Sequence, residues 1–543
     1  MRLIPSNTAF LRATLLSVFL LGLIYAQSRE YLRPDYAARL HLVVRRADTG
    51  AVVPARVYLF KGDSPFRLSP VEGMLPLRPD LFYRERLWIK APHPETLEVT
   101  ARDSSHFILL NGSASFDLPA GDGYRVEAYH GTFFGPAVQS FTLEANGETT
   151  IELTVQPVAP GRQERWISAD DHIHLMRSRE DDEVFLQWLA AEDLGVGNFL
   201  ELQRQQHAAV QYAFGEAGEA RSSGSSIRSG HESRSRFYGH TLFLGPDRMI
   251  RPLSIGLEYA NTPEAYPHPG ILFAEGRRQG ALTGFAHFYG SQPNSTLLME
   301  LVHGQLDFVE LFQFGELKTA EWYELLNAGF RVVGLAGIDF PANMGRMSPW
   351  PRVLPLLGPE RTLAPLRPGP SAYEAWAKGV RDGEVVVTNG PFLELEVNGS
   401  GPGTTIDWQG ESLTLKGSAF AAYHRPIERI EVLRNGEVAA HYEGRDPQAN
   451  FDFELQIEES SWIAARAVSP SEEGEPVLQA HTNPVYFHLG GEPVRVEDGR
   501  EALRARWRKE SEYFRSGELV FENEEQQREF FERVEQTSVR LGR

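Results

Sequence analysis

Asp170-Asp171-His172-Ile173-His174 carries the densest run of metal-ligand chemistry in the chain. On a strand, side chains two positions apart point to one face, so His172 and His174 can grip a single cation. Asp170, just upstream, is placed to orient one of these imidazoles from behind. Further residues of ligand type follow: Glu232, His240, His287, Glu310 and Asp339. Half of the sixteen histidines lie between residues 172 and 303, which concentrates this chemistry in one stretch of chain. Cysteine is absent, so any bound metal must take nitrogen and oxygen ligands. Such a donor set suits Zn²⁺, Mn²⁺ or Fe²⁺, and ligand type alone does not choose among them.

The elements that must position these residues change in texture along the sequence. Residues 38 to 157 alternate apolar and polar in short runs, as in Ala55-Arg56-Val57-Tyr58-Leu59 and Ile151-Glu152-Leu153-Thr154-Val155. Gly and Pro punctuate the runs, a rhythm that predicts an antiparallel β-sandwich ending near Pro160-Gly161. From about 166 to 395, apolar strands alternate with helical runs such as 183–193 and 319–328. This predicts parallel strands with crossover helices in an α/β barrel-like domain. Functional residues of such barrels sit at the carboxyl ends of strands, where Asp339 and His287 fall. The Gly-, Ser-, Arg- and Glu-rich stretch 215–235 reads as a mobile loop beside the site or, equally, as simple disorder. Strands return from about 396 to 490, with an Asn435-Gly436 hairpin signal. The charged tail has a helical period, with Leu503, Trp507, Phe514, Phe530, Phe531 and Val534 as anchors onto the body. The expected divisions are 1–26, 27–160, 161–395, 396–492 and 493–543.

A chain of 543 residues exceeds one hydrophobic core and suggests three or four domains. Its net charge of −19 argues against nucleic acid and against anionic lipid surfaces. Arg2 and Arg12, the apolar run Ala13 to Ala26 and a small-residue site before Gln27 read as a signal peptide. The run falls short of the roughly 20 residues a spanning helix needs, so the expectation is export with cleavage, to periplasm or exterior. No stable membrane insertion is expected thereafter.

The motifs together resemble the CehA/McbA-type metallohydrolases of the PHP (polymerase and histidinol phosphatase) superfamily. The resemblance runs from about 166 to 395 and rests on Asp170 to His174, Ala191-Glu192-Asp193-Leu194-Gly195, Gly230-His231-Glu232 and Gly239-His240. It continues through Ala286-His287, Val309-Glu310, Ala336-Gly337-Ile338-Asp339 and Val387-Thr388-Asn389-Gly390-Pro391. Two departures stand out. Gln203 and Arg204 replace an Asp-His pair, and Ile338 and Pro341 replace Ser and His in a Gly-Ser-Asp-x-His motif. These losses remove ligands of a third metal, so the resemblance implies one or two ions, zinc first, with manganese or iron as alternatives.

The implied fold is a PHP-like distorted α/β barrel flanked by β-sandwich-like domains, with a helical tail. By resemblance, His172, His174 and Asp339 hold one metal, while Glu232 bridges to a second held by His240 and His287. The implied activity is that of an exported hydrolase using metal-bound hydroxide on an ester, amide or carbamate. Asp339 would double as proton acceptor and Arg346 would serve catalysis at the substrate. Arg234, Arg236 and Tyr238 are further candidates for substrate oxygens, against solvated loop charge for the two arginines. Phe340 and Trp350 suit an apolar pocket wall or plain packing. Glu310 fits a buried ion pair as well as a site role, His231 is open between the site and solvent, and His207, His268 and His303 read as non-ligands. The expected partner is a small-molecule or carbohydrate-like substrate, and oligomeric state is not legible. Two rival readings are a PHP-type phosphoesterase and a non-catalytic secreted binding protein on a degenerate scaffold.

Overall fold

The computed structural model describes residues 37–68, 75–76, 87–93, 96–101, 105–203, 208–235, 237–251, 265–290, 295–346, 355–369 and 371–542. The leader segment 1–26 lies outside the described residues, as do Arg204, His207, Arg236, Trp350 and the side chains of Gln203 and Arg346.

Alternating hydrophobicity builds two stacked sheets from residues 37 to 157. In Glu148–Pro157, Ile151, Leu153 and Val155 turn inward while Glu152 and Thr154 stay exposed. This strand runs beside Ala37–Arg46 in a four-stranded sheet with Ser113–Pro119 and Phe134–Gly135. The second sheet includes Ala137–Leu143, Gly121–Tyr129, Ala55–Lys61 and Ser105–Leu110. Leu40, Leu42, Val57, Val126 and Val155 fill the space between. One pairing departs from the antiparallel expectation: Ala37–Arg46 and Glu148–Pro157 are parallel. They are the first and last long strands of the unit, and a long connection is what parallel pairing requires.

The central domain is built on seven main strands of a larger mixed sheet: β1 (Trp166–Ile173), β2 (Val196–Gln203), β3 (Ser226–Ser235), β4 (Gly239–Leu244), β5 (Leu282–Phe285), β6 (Phe308–Gln313) and β7 (Val333–Ala336). Helices α1 (Asp182–Ala191), α2 (Pro269–Arg278), α3 (Leu297–Val302) and α4 (Thr319–Asn327) connect them. Beyond β7, Phe340 forms a single parallel bridge with Ile173 of β1, and the strand Arg361–Pro365 pairs antiparallel with β1. The all-parallel expectation is corrected. β1, β2 and β3 are parallel, as are β5, β6 and β7, but β4 runs antiparallel to both neighbours. Only residues 236–238 separate β3 from β4, too few for the dozen or more residues of a parallel crossover. The stretch expected to be a loop is also corrected: after a short turn at Gly215–Gly218, β3 occupies its second half and is buried throughout.

Val386–Thr388 carries the central sheet into the C-terminal β-sandwich by pairing with Leu478–Thr482. The facing sheet holds Phe392–Val397, Leu413–Ala422 and Gln448–Ile457. Asn435 and Gly436 have φ of 51° and 93°, the left-handed pair that a two-residue hairpin needs. Helix α5 (Ala372–Asp382) packs on the strand Arg361–Pro365. At the end of the chain, α6 (Glu497–Phe514) and α7 (Glu524–Gly542) bury Leu503, Trp507, Phe514, Phe530 and Val534 against the central domain. Among the described residues, no helix is long and apolar enough to cross a membrane.

Candidate metal centre

The end of β1 delivers His172, and His174 follows just past it on the same face; their Nε2 atoms lie 2.9 Å apart. The loop after β7 brings in Asp339, whose Oδ1 is 3.5 Å from His172 Nε2 and 3.4 Å from His174 Nε2. Asp339 sits at φ 52°, in the left-handed region that costs a non-glycine residue on the order of 1–3 kcal/mol. Two hydrogen bonds hold that geometry: Phe340 N–H donates to His172 O (3.2 Å) and His174 N–H to Phe340 O (2.7 Å). The ligand loop is thereby stitched onto the ligand strand.

Glu232 and Arg234 share one face of β3, and Arg234 stands opposite His240 on β4. Glu232 Oε2 lies 2.9 Å from His174 Nε2, while its Oε1 lies 3.1 Å from His240 Nδ1 and 4.0 Å from His287 Nε2. His287 lies two residues past the end of β5, at φ 54°. Its Nε2 is also 3.8 Å from Asp339 Oδ2. One triad of His172, His174 and Asp339 and another of Glu232, His240 and His287 therefore converge, all buried.

The donor set fits a divalent ion. Tetrahedral zinc with bonds near 2.0–2.1 Å requires ligand atoms about 3.3 Å apart, and the first triad spans 2.9 to 3.5 Å. Glu232 Oε1 and Asp339 Oδ1 are buried with no hydrogen-bond partner, an arrangement a cation would relieve. Buried His/Asp/Glu groups able to hold a metal ion are thus present.

The residues behind the triads set the imidazole tautomers. His172 Nδ1 is 2.5 Å from Glu310 Oε1, and His174 Nδ1 is 3.2 Å from Leu200 O. His287 Nδ1 bonds Gln313 Oε1, and the His287 backbone N–H donates to Glu310 Oε2 at 2.7 Å. An Nδ1–H held by oxygen leaves the Nε2 lone pair facing inward. Burial, only partly opposed by Asp339, lowers His287 to about 3 and keeps it neutral. Burial alone would raise Glu232, but Arg234 and the imidazoles outweigh it and hold the carboxylate well below its usual range.

Several expectations change here. Asp170 orients no imidazole: its carboxyl accepts backbone N–H groups of His172 (3.1 Å), Ile338 (3.3 Å) and Gly358 (3.0 Å). It ties three segments together, and burial raises it to about 7. Glu310 takes the orienting role instead. Arg234 is a buried strand residue whose Nε donates to Glu232 Oε2 at 2.7 Å, not a solvated loop charge. Tyr238 is buried beside Phe514 and Phe530 and donates to Ala265 O, away from any substrate role. Phe340 packs on Trp188 in the core. His231 points to the other face of β3, against Phe243, and burial lowers it to about 4. His268 lies against Phe530 and His303 against α7, outside both triads. The side chain of Arg346, expected at the substrate, lies outside the described residues. Gln313, which the sequence reading missed, sits three residues beyond Glu310 on β6, an offset that a regular strand sends to the opposite face; a register irregularity between Glu310 and Phe312 brings the two together, and sequence carries no signal of it.

No protein-family model matches the chain, and no curated protein does. Among solved structures, PsfC from Pseudomonas syringae aligns at 16% identity with a TM-score of 0.27, covering 39% of this chain and 88% of that one. A β-glucuronidase of Bacteroides uniformis aligns at 8% identity with a TM-score of 0.14, covering 84% and 58%. Likeness at these scores establishes neither a shared fold nor a shared activity.

Proposed function

We propose that this protein is an exported metal-dependent hydrolase acting on an ester, amide or carbamate bond. The observation that carries the reading is Glu232, whose two oxygens face two separate ligand sets, one at His174 and one at His240. These ligands suit a divalent ion, zinc first and manganese or iron next, which would supply a water acidified to a pKa of about 7 and Lewis-acid polarisation of the scissile group. His172, His174 and Asp339 would hold one ion, and Glu232, His240 and His287 a second. Asp339 Oδ2, turned towards His287, would accept the proton released on attack. Glu310 and Gln313 keep two imidazoles in the ligating tautomer. Burial of the whole cluster excludes bulk water and strengthens every charge interaction inside it.

A phosphoester substrate is the second reading, favoured by Arg234. Its guanidinium lies 2.7 Å from Glu232 and 3.7 Å from Asp339, and its planar fork matches a phosphoryl oxygen pair. The test is elemental mass spectrometry on the chain from residue 27, purified without chelator, beside His172→Ala/His174→Ala. One or two zinc, manganese or iron ions per chain, lost in the variant, support the reading and direct an ester, carbamate and phosphoester screen. Metal well below one per chain, not restored by adding it back, would leave a non-catalytic binding protein.

A further inference from the structure

Arg361 is fully buried on the strand Arg361–Pro365, beside β1, and has no ion-pair partner among the described residues. Buried charges are normally paired, because taking a lone ion out of water is costly. Here Asp193, Glu192 and Asp170 offset the charge from beyond ion-pair distance. Among the described residues, the hydrogen bonds of the guanidinium all end on backbone oxygens. Nε (2.8 Å) and Nη2 (2.6 Å) donate to Gly358 O, and Nη1 donates to Glu192 O at 3.1 Å. The Glu192 carboxylate is engaged elsewhere, by Arg56 Nε at 2.9 Å. Glu192 belongs to Ala191-Glu192-Asp193-Leu194-Gly195, a motif that supplies neither triad with a ligand.

Gly358 is gripped from three sides. Its φ is 61°, and a Cβ there would meet Leu194 Cδ1 and Cδ2 at 2.8 Å. Its O is held by Arg361, and its N–H donates to Asp170 Oδ2 at 3.0 Å. Asp170 Oδ1 in turn accepts from the backbone N–H groups of His172 (3.1 Å) and Ile338 (3.3 Å). His172 is a ligand of the first triad, and Ile338 directly precedes another, Asp339. A continuous run of bonds therefore leads from Arg361, through one glycine and one carboxyl, to two segments of that triad. A guanidinium suits the task, because its planar fork fixes two oxygens at a set angle.

We infer that Arg361 is a positioning residue of the metal centre, holding Gly358 so that Asp170 keeps His172 and Asp339 at ligating distance from one another. The role depends on a cation occupying that centre, as proposed for this site. Arg361 bonds none of the six ligand side chains, so it acts on the spacing of the donors. A purely stabilising role would be served as well by an apolar residue of like volume, which escapes the desolvation cost.

The chain from residue 27 would be compared as wild type, Arg361→Lys and Gly358→Ala. Lysine keeps the buried charge but has no fork to span Glu192 O and Gly358 O. Alanine displaces the same glycine from the Leu194 side. Zinc affinity would be read by competition with a chromophoric chelator, ligand geometry by visible absorption of the cobalt-substituted protein, and folding by metal-free melting. Ile430→Ala, a core truncation in the C-terminal sandwich, is the reference for lost stability alone. The expected result is zinc binding weakened about 10- to 100-fold in both variants, with an altered cobalt spectrum, and neither change in Ile430→Ala. In Asp170→Asn the run of bonds is already cut, so adding Arg361→Lys to it should weaken binding little further. Wild-type affinity and cobalt spectrum in either folded variant, losses matched by Ile430→Ala, or full additivity with Asp170→Asn overturns the assignment. A wild-type chain that takes up neither zinc nor cobalt removes the metal centre itself, and this role with it.

Discussion

At the scale of single residues, Glu310 shows how a site can depend on a group that touches no ligand position. Its two oxygens hold His172 Nδ1 and the His287 backbone, so one carboxylate fixes members of both triads. Glu310→Gln is expected to weaken metal binding by about 10- to 100-fold, measured by competition with a chromophoric chelator. The metal-free melting temperature should move little by comparison; a large fall there with unchanged metal affinity would make Glu310 merely structural. Gly337 is fixed by space: a Cβ would come within 1.8 Å of Asp171 Oδ1. Gly337→Ala is expected to displace the Asp339 loop and reduce bound metal, read by elemental analysis of the folded variant. The histidines were legible because spacing of two on a strand needs no tertiary information. Glu310 remained open, and Asp170 was given the wrong partner, because hydrogen bonds across the sheet depend on strand order, which residue spacing does not encode.

At the scale of elements, the β3–β4 hairpin carries Glu232, Arg234 and His240, and its tip is held by the C-terminal helices. Tyr238 has ring centroids 6.3 Å from Phe514 and 5.5 Å from Phe530. Phe530→Ala should cost about 3–5 kcal/mol, as for other fully buried phenylalanines, read by denaturant titration. The same helices contain Glu510, buried with Oε2 unpartnered and raised to about 8 by burial, partly countered by Arg506. A carboxyl raised on folding favours the protonated form, so its contribution is best below the unfolded value near 4.5 and is lost as pH rises towards 8. Glu510→Gln should therefore match wild type at pH 4 and exceed it increasingly between pH 4.5 and 8, by up to about 1.4 kcal/mol per unit. A constant difference across that range would mean the carboxyl ionises freely in the fold. The tail helices and their anchors were legible from period alone. The antiparallel β4 was not, since the segment before it is rich in Ser, Gly and Arg and gave a loop signal that burial overrode.

At the scale of the whole molecule, two kinds of domain boundary coexist. The C-terminal sandwich shares strand pairing with the central sheet through Val386–Thr388, whereas the N-terminal sandwich meets the central domain without strand pairing, through Tyr58, Phe60 and Phe107 packed on Trp188 and Phe185 and the buried Arg56–Glu192 ion pair. Composition and punctuation showed three β- or α/β-rich segments, yet a shared sheet leaves no mark in sequence that a packed seam does not. The metal cluster lies within the continuous part. Without a cation, Glu232, Asp339 and Glu310 stand as buried carboxylates among few cations, Arg234 chief among them. An ion that binds only the folded state adds RT ln(1 + [L]/Kd), about 4.1 kcal/mol at a thousandfold excess over Kd. Stripping the metal with chelator should therefore lower the melting of the central and C-terminal parts together, while the N-terminal sandwich keeps its own transition. Calorimetry with and without chelator, followed by limited proteolysis near residues 158–165, reads both parts. A chelator shift shared equally by all three domains would show that the seam transmits stability as well as the continuous sheet does, and no shift at all would remove the cation from the account of this fold.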